Sequence, residues 1–248
     1  MQFPQILTLI IPVYNGEQYI EKTCNELHTF CVQNNFIDTI VFVDDGSTDE
    51  TRKRMEDYTQ NKSFKFKILG YRENKGKGHA IKFAFEHVHP NGLVAFTDVE
   101  LPYGLEVLKD SMMLLQDKEI GMIVGNRHIV KTLHPQYNRY RGFFTKIFHL
   151  ILPREVRAYE DTQCGLKIFT REAAHILFSN IKTYRWVFDV ELFIIAIRNN
   201  VDILQIPVAL KQPCNTRGGV SALRHGLQII KDVITIYRND KQGVYERN

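Results

Sequence analysis

Through the first half of the chain, short unbroken apolar runs alternate with segments whose apolar residues recur every three or four positions. The runs L-T-L-I-I and T-I-V-F-V predict strands over 6–12 and 39–43, and two more are predicted over 66–71 and 93–97. Between them the helical period predicts helices over 17–33, 49–60 and 79–88. Strands that alternate with helices imply right-handed crossovers and parallel pairing. Such strands are buried on both faces, which accounts for runs without polar alternation. The chain therefore reads as α/β, with a mostly parallel central sheet flanked by helices. Ligands of open α/β sheets bind beyond the carboxyl ends of the strands. Those ends carry Asn15 and Glu17, Asp44 and Asp45, the segment 74–78, and Asp98 and Glu100, so polar residues converge on one edge.

The second half is less regular. Helices are predicted over 105–116, 171–177 and 189–199, and strands over 121–125 and 203–208. Residues 141–152 predict an amphipathic helix rich in Phe, Ile and Leu, and 221–238 a final helix after Gly218 and Gly219. There is no repeat, low-complexity tract or clear linker.

Composition narrows the class. The 248 residues are 44% apolar and 24% charged, as in a soluble globular chain long enough to bury a full core. A net charge of +4 is too small for a general nucleic-acid binder. No apolar run approaches the roughly 18 residues needed to cross a bilayer. The run 6–13 follows no basic leader and contains Pro12, so a buried strand is expected there, not a signal peptide. Cys24, Cys31, Cys164 and Cys214 form no C-x-x-C pair and cluster with no histidines, so structural zinc is not expected and reduced thiols are.

Four segments carry candidate chemistry. D-D-G-S-T-D-E-T starts at Asp44, after a strand. Gly46 permits a turn, and Ser47 or Thr48 is expected to cap the following helix. Adjacent acids repel, which is more than a turn needs, so recognition of a base or ribose is favoured. E-N-K-G-K-G-H-A, from Glu73, opens a helix whose N-terminus, glycines and lysines suit an anion, although a lysine-rich surface turn fits equally well. It is neither a Walker A loop nor G-x-G-x-x-G, because Ile81 stands where the last glycine would be. In T-D-V-E, extended chain would point Asp98 and Glu100 to one face, where hard oxygens suit Mg2+ or Mn2+ on a diphosphate. Solvated loop acids are the alternative. In the last segment, Asp161 and Gln163 precede Gly165, and Thr170 is expected to cap a helix. R-W-V-F-D-V-E-L follows. Trp186 and Phe188 are expected in the core, and Asp189 and Glu191 require partners or a cleft wall.

Together these segments resemble the inverting glycosyltransferases of family 2, which have the GT-A fold. The matching pieces are I-I-P-V-Y-N-G-E (10–17), V-D-D-G-S-T-D-E-T (43–51), N-K-G-K-G-H-A (74–80), T-D-V-E (97–100) and G-N-R (125–127). D-T-Q-C-G-L-K-I-F-T-R-E-A-A (161–174) and R-W-V-F-D-V-E-L (185–192) are similar to the branch that transfers glucose or a related sugar to dolichyl or polyprenyl phosphate. The resemblance implies that Pro12, Tyr14 and Glu17 line a nucleotide pocket, with Asp44 at the base or ribose. It implies Lys77 and the Gly76–Gly78 turn near the donor, and Asp98 and Glu100 on a divalent metal, Mg2+ or Mn2+. Arg127 and Arg141 would meet the acceptor phosphate, and Asp161 would sit at the reaction centre as a base or an orienting group. Two departures stand out: D-x-E replaces the usual D-x-D, and Pro102 follows where the mannose branch often has a polar ligand.

The expected organisation is a GT-A catalytic domain over 1–218 and a C-terminal amphipathic helix and tail over 219–248, with a possible membrane-interfacial role. Relatives often add transmembrane helices, and none is read here. The implied reaction is in-line displacement at the anomeric carbon, with UDP-glucose the leading donor. A phosphate acceptor is already ionised near neutral pH and needs little base, whereas a hydroxyl acceptor would require one. The alternatives are a hydroxyl acceptor on a soluble glycan or protein, a GDP-mannose-dependent polyprenyl-phosphate mannosyltransferase, and a catalytically dead binding module, the last opposed by the intact acids at 98, 100 and 161. The expected setting is cytoplasmic, at the cytoplasmic face of a membrane held peripherally. No nucleic-acid partner is expected, and the oligomeric state stays open.

Overall fold

The computed structural model describes residues 6–60, 65–117, 119–129, 152–211 and 222–246. Its first half follows the strand–helix alternation. The elements are β1 (Leu7–Val13), α1 (Glu17–Gln33), β2 (Ile37–Asp45), α2 (Thr51–Thr59), β3 (Phe66–Tyr71), α3 (Lys77–Val88) and β4 (Leu93–Phe96). The second half contributes α4 (Glu106–Asp117), β5 (Ile120–Asn126), a short 3-10 turn (Val156–Ala158), β6 (Lys167–Phe169), α5 (Arg171–Asn180), α6 (Phe188–Arg198), β7 (Asp202–Pro207) and α7 (Ala222–Lys241). Among the described residues these strands form one seven-stranded sheet in the order β3-β2-β1-β4-β6-β5-β7. Pairing is parallel except at β6, which runs antiparallel to both β4 and β5. β1 and β4 lie at the centre and are almost wholly buried, as unbroken apolar runs require.

Local chemistry sets several boundaries. Thr170 caps α5, its Oγ1 accepting a hydrogen bond from the Ala173 amide at 3.2 Å, a cap worth about 1 kcal/mol. The expected cap on α2 is not formed. Ser47 Oγ instead accepts from the Asn15 amide, and the Thr48 amide donates to Asn15 Oδ1. Asp49 turns its carboxylate onto the Thr51 amide and hydroxyl, and α2 begins there. Trp186 is also not a core residue: it is 40% exposed, while Phe188 two positions on is buried. Its place before α6, outside any regular element, lets it face outward.

The amphipathic helix expected over 141–152 lies outside the described residues except for Leu152, which is buried. Cys24, Cys31 and Cys164 are buried and form no disulfide among the described residues, and burial pushes the Cys31 thiol up to about 12. Helix α7 buries Val233 and Ile236, and Arg198 on α6 grips Asp240 through two hydrogen bonds of 2.7 Å. Its Ile230 and Ile234 stay exposed. No helix among the described residues is long and apolar enough to cross a membrane.

Candidate active site

The carboxyl ends of β1 and β2 are stitched together by backbone and short side chains. Asn15 adopts a positive φ of 48° and bridges to Ser47 and Thr48. Glu17 accepts from the Glu50 amide at 2.9 Å, and the Gly16 amide donates to Thr51 Oγ1. Tyr14 stands exposed and Pro12 half-buried at this edge.

The two acids of the D-D-G-S turn have different tasks. Asp45 faces inward and accepts from Tyr71 Oη (2.7 Å), Asn74 Nδ2 (2.9 Å) and the backbone amides of Lys75 (2.8 Å) and Gly76 (2.9 Å). It thereby shapes the turn that opens α3. Burial together with this acid pushes the Tyr71 phenol far above its ordinary range. Asp44, also buried, accepts from the Ser47 amide at 2.9 Å, its one side-chain bond among the described residues. Of the two acids, Asp45 serves the turn that opens α3, and Asp44 serves its own D-D-G-S turn.

The turn delivers Lys77 to Asp98. Gly76 has a φ of 103°, and a Cβ there would lie 2.6 Å from the Tyr184 carbonyl oxygen, so only glycine fits. Lys77 Nζ donates to Asp98 Oδ1 at 2.5 Å. Burial works against both charges, but each charge holds the other ionised. Asp98 is kept below the ordinary carboxylate range and Lys77 above the ordinary amine range. Asp98 keeps 36% of its side chain open. The chain does not continue extended to Glu100, as was expected. It turns after Phe96, with the Leu101 amide donating to the Asp98 carbonyl, and leaves Glu100 exposed. Leu101 follows with a positive φ of 48°.

Arg127 and Asp161 form the second charged pair. Arg127 Nε and Nη2 donate to the two oxygens of Asp161 at 2.7 and 2.8 Å, and the Arg127 amide adds a third bond at 3.0 Å. Such a fork fixes the guanidinium plane and leaves its other N–H donors available. Asp161 is 2% exposed, and burial alone would raise it, but Arg127 holds it below the carboxylate range. Arg141 lies outside the described residues.

Lys167, not anticipated from the sequence, supports the floor. Its fully buried Nζ donates to the carbonyls of Thr162 (3.2 Å) and Cys164 (2.9 Å) and to Asp189 Oδ1 (2.5 Å). Removing one partner of such a buried pair typically costs about 3–5 kcal/mol. The anchored loop presses Gly165 against Asp98, where a Cβ would come within 1.9 Å of Oδ2. The available signal was a lysine inside an apolar strand together with an acid inside an apolar helix. The partners expected for Asp189 and Glu191 are present: Lys167 for the first, the Lys182 and Thr183 amides for the second.

A mixed sheet of this order, with acids and cations gathered beyond the ends of β1, β2, β4 and β5, is the architecture of GT-A glycosyltransferases. The glucosyl-3-phosphoglycerate synthase of Mycobacterium tuberculosis shares the fold, with a TM-score of 0.67 at 17% identity over 96% of this chain and 80% of that one. A mannosyltransferase of Pyrobaculum calidifontis superimposes with a TM-score of 0.63 at 20% identity over 93% and 64%. Residues 8–180 match the glycosyl transferase family 2 model, and the chain belongs to that family. It is similar to the dolichyl-phosphate beta-glucosyltransferase of Saccharomyces cerevisiae, 29% identical over 98% of this chain and 77% of the relative. The corresponding proteins of Trichomonas vaginalis and Homo sapiens are 34% and 32% identical, over 83% and 82% of this chain and 66% of each relative.

Proposed function

We propose that this glycosyltransferase moves glucose from UDP-glucose to the phosphate of a dolichol or another polyprenol, with inversion at the anomeric carbon. The observation that carries this reading is the Arg127–Asp161 fork. Asp161 has both oxygens engaged by an arginine that also depresses its proton affinity, which makes it a poor general base. The acceptor that needs no base is one already ionised. A guanidinium fixed in plane with donors to spare suits phosphate oxygens. The names of the curated relatives point to the same acceptor.

The other residues take roles consistent with their places. Pro12, Tyr14, Glu17 and Asp44 border the nucleotide, and the Gly76 turn brings Lys77 towards the diphosphate. Asp98 and Glu100 are the hard-oxygen donors for Mg2+ or Mn2+. The fit rests on Asp98, which is partly open, with Lys77 on Oδ1 and only a glycine beside Oδ2. The mycobacterial and archaeal neighbours were crystallised with Mn2+, the first also with UDP and the second with GDP-mannose. When bound, such an ion neutralises charge on the leaving nucleoside diphosphate. Lys77 adds positive charge at the same edge, and Arg127, with Arg141, orients the acceptor.

Transfer of radiolabel to dolichyl phosphate tests the reading, with UDP-glucose and GDP-mannose offered separately. Label is expected in the lipid extract from UDP-glucose and is expected to vanish in excess chelator. Label from GDP-mannose alone would move the assignment to a mannosyltransferase, and label only in soluble glycans or proteins would remove the lipid acceptor. Full turnover in chelator would discard the metal.

The acceptor's polyprenyl tail stays in a bilayer, so the site must come to the membrane surface. Helix α7 buries one stripe, Val233 and Ile236, and exposes another, Ile230 and Ile234, beside Lys231, Arg238 and Lys241. Apolar residues bordered by cations suit an anionic interface. Co-sedimentation with vesicles containing anionic lipid is expected at low salt and is expected to weaken at high salt. A folded, active protein that stays in the supernatant at low salt would refute this.

A further inference from the structure

The C-terminal tail reaches the donor turn through a buried carboxylate. Tyr245, beyond the end of α7, is fully buried, and its hydroxyl donates to Glu191 Oε1 at 2.6 Å. Asn239 Nδ2 donates to the same phenolic oxygen, so the hydroxyl proton is directed at Glu191. Glu191 on α6 is itself fully buried. It also accepts from the Lys182 amide (3.0 Å), the Thr183 amide (2.7 Å) and the Thr183 hydroxyl (2.6 Å). Every neighbour donates, so the carboxylate works as a clamp on the segment between α5 and α6.

That segment in turn holds the turn before α3. The Tyr184 carbonyl accepts from the Gly78 amide at 2.8 Å, and Arg185 donates to the Asn74 side chain and backbone at 3.3 and 3.2 Å. Gly76 and Gly78 have no room for a side chain against Tyr184 and Phe188. The turn ends in Lys77, which meets Asp98. An unbroken series of bonds thus runs from Tyr245 through Glu191 and the 182–185 segment to Lys77.

We infer that Glu191, fastened by Tyr245, is a positioning residue for the donor site, and that the C-terminal tail thereby sets the placement of Lys77. This rests on the assignment of the Gly76–Gly78 turn to the sugar nucleotide. Neither residue touches the proposed substrates. Their effect should therefore appear in donor binding, with the acceptor unaffected. Nothing in a glycosyltransferase reaction requires the tail to be chemically involved, so this coupling is a property of this chain's packing.

The experiment compares full-length wild type with Tyr245→Phe and Glu191→Gln. The first removes a single hydroxyl and keeps the ring, so it carries the test if the second fails to fold. Amide hydrogen exchange across residues 74–79, without ligand, is expected to accelerate about tenfold in Tyr245→Phe, the scale of one hydrogen bond to a charged group. The KM for UDP-glucose is expected to rise several-fold while the KM for dolichyl phosphate holds. Unchanged exchange in a folded variant would overturn the inference, whatever the donor proves to be. Faster exchange with an unaltered donor KM would overturn it differently, by showing that this turn does not hold the donor. Failure of the wild type to use UDP-glucose would count against the proposed function, and the exchange result would still decide whether the tail fastens the turn.

Discussion

Gly165→Ala is expected to lower turnover roughly a hundredfold while leaving the protein folded, because small displacements of reacting or binding groups cost rates on that scale. The added Cβ would lie 1.9 Å from Asp98 Oδ2 and 2.7 Å from its Cγ, closer than any contact can be. Something has to move. The loop cannot retreat easily, since Lys167 binds the carbonyls on either side of Gln163 and is itself held by Asp189. Asp98 is therefore the group displaced, and with it the contact to Lys77. The residues that form the core around this point are untouched, so thermal unfolding should shift little compared with the loss of rate. Steady-state transfer from UDP-glucose and a circular-dichroism melt on the same sample decide the matter. Wild-type turnover in a folded Gly165→Ala protein would show that Asp98 need not stay where it is found. Asp98→Ala should match the loss without adding to it in the double variant, because both changes act on one carboxylate.

Much of this arrangement was legible in the sequence, and the exceptions have physical reasons. Helix α1 has the bounds its apolar period predicts, 17–33, because its buried residues Ile20, Cys24, Leu27 and Cys31 recur at helical spacing. Strand β6 escaped notice because it is three residues long with a lysine in it, and a charged residue ordinarily argues against a buried strand. Only the sheet explains Lys167, by bringing Asp189 beside it from α6. The pair Asp44–Asp45 reads as a ligand site, but a sequence does not say which acid the pleat turns inward. Here Asp45 is fixed by the Asn74–Gly76 turn, about thirty residues away along the chain. The helical period of the C-terminal segment aligns residues 223, 227, 230, 234 and 237 in one apolar stripe. The structure docks the helix through Val233 and Ile236 and leaves Ile230 and Ile234 outside, with Tyr237 partly packed on the core. Periodicity finds an apolar face but does not tell a docking face from a second one. Of the residues assigned by resemblance, Lys77 meets Asp98, and Arg127 meets Asp161. Arg141 lies outside the described residues.

The Arg127–Asp161 fork yields the prediction that separates the two acceptor chemistries. Arg127→Ala is expected to reduce kcat/KM for dolichyl phosphate by roughly a hundredfold. Hydrogen bonds to a charged group contribute about 1.5–3 kcal/mol each, and about 1.4 kcal/mol is a tenfold change. Asp161→Asn should act in the same direction and less strongly, about tenfold, because asparagine cannot grip the guanidinium with two oxygens. Its effect should fall on the KM for the lipid phosphate, since the guanidinium remains charged and only its placement is lost. The double variant should be no worse than Arg127→Ala alone, as expected of a residue that acts through its partner. A general base behaves otherwise. Losing it typically costs about 10²–10⁴ in rate, falls on kcat, and is independent of what Arg127 does. The pH profile adds a second criterion. Arg127 holds Asp161 below the ordinary carboxylate range, so it is ionised throughout the neutral region. The wild-type rate should therefore show no limb assignable to Asp161 above about pH 4. A severe fall in kcat for Asp161→Asn with acceptor KM unchanged, together with an acidic limb that this variant abolishes, would make Asp161 a base and the acceptor a hydroxyl.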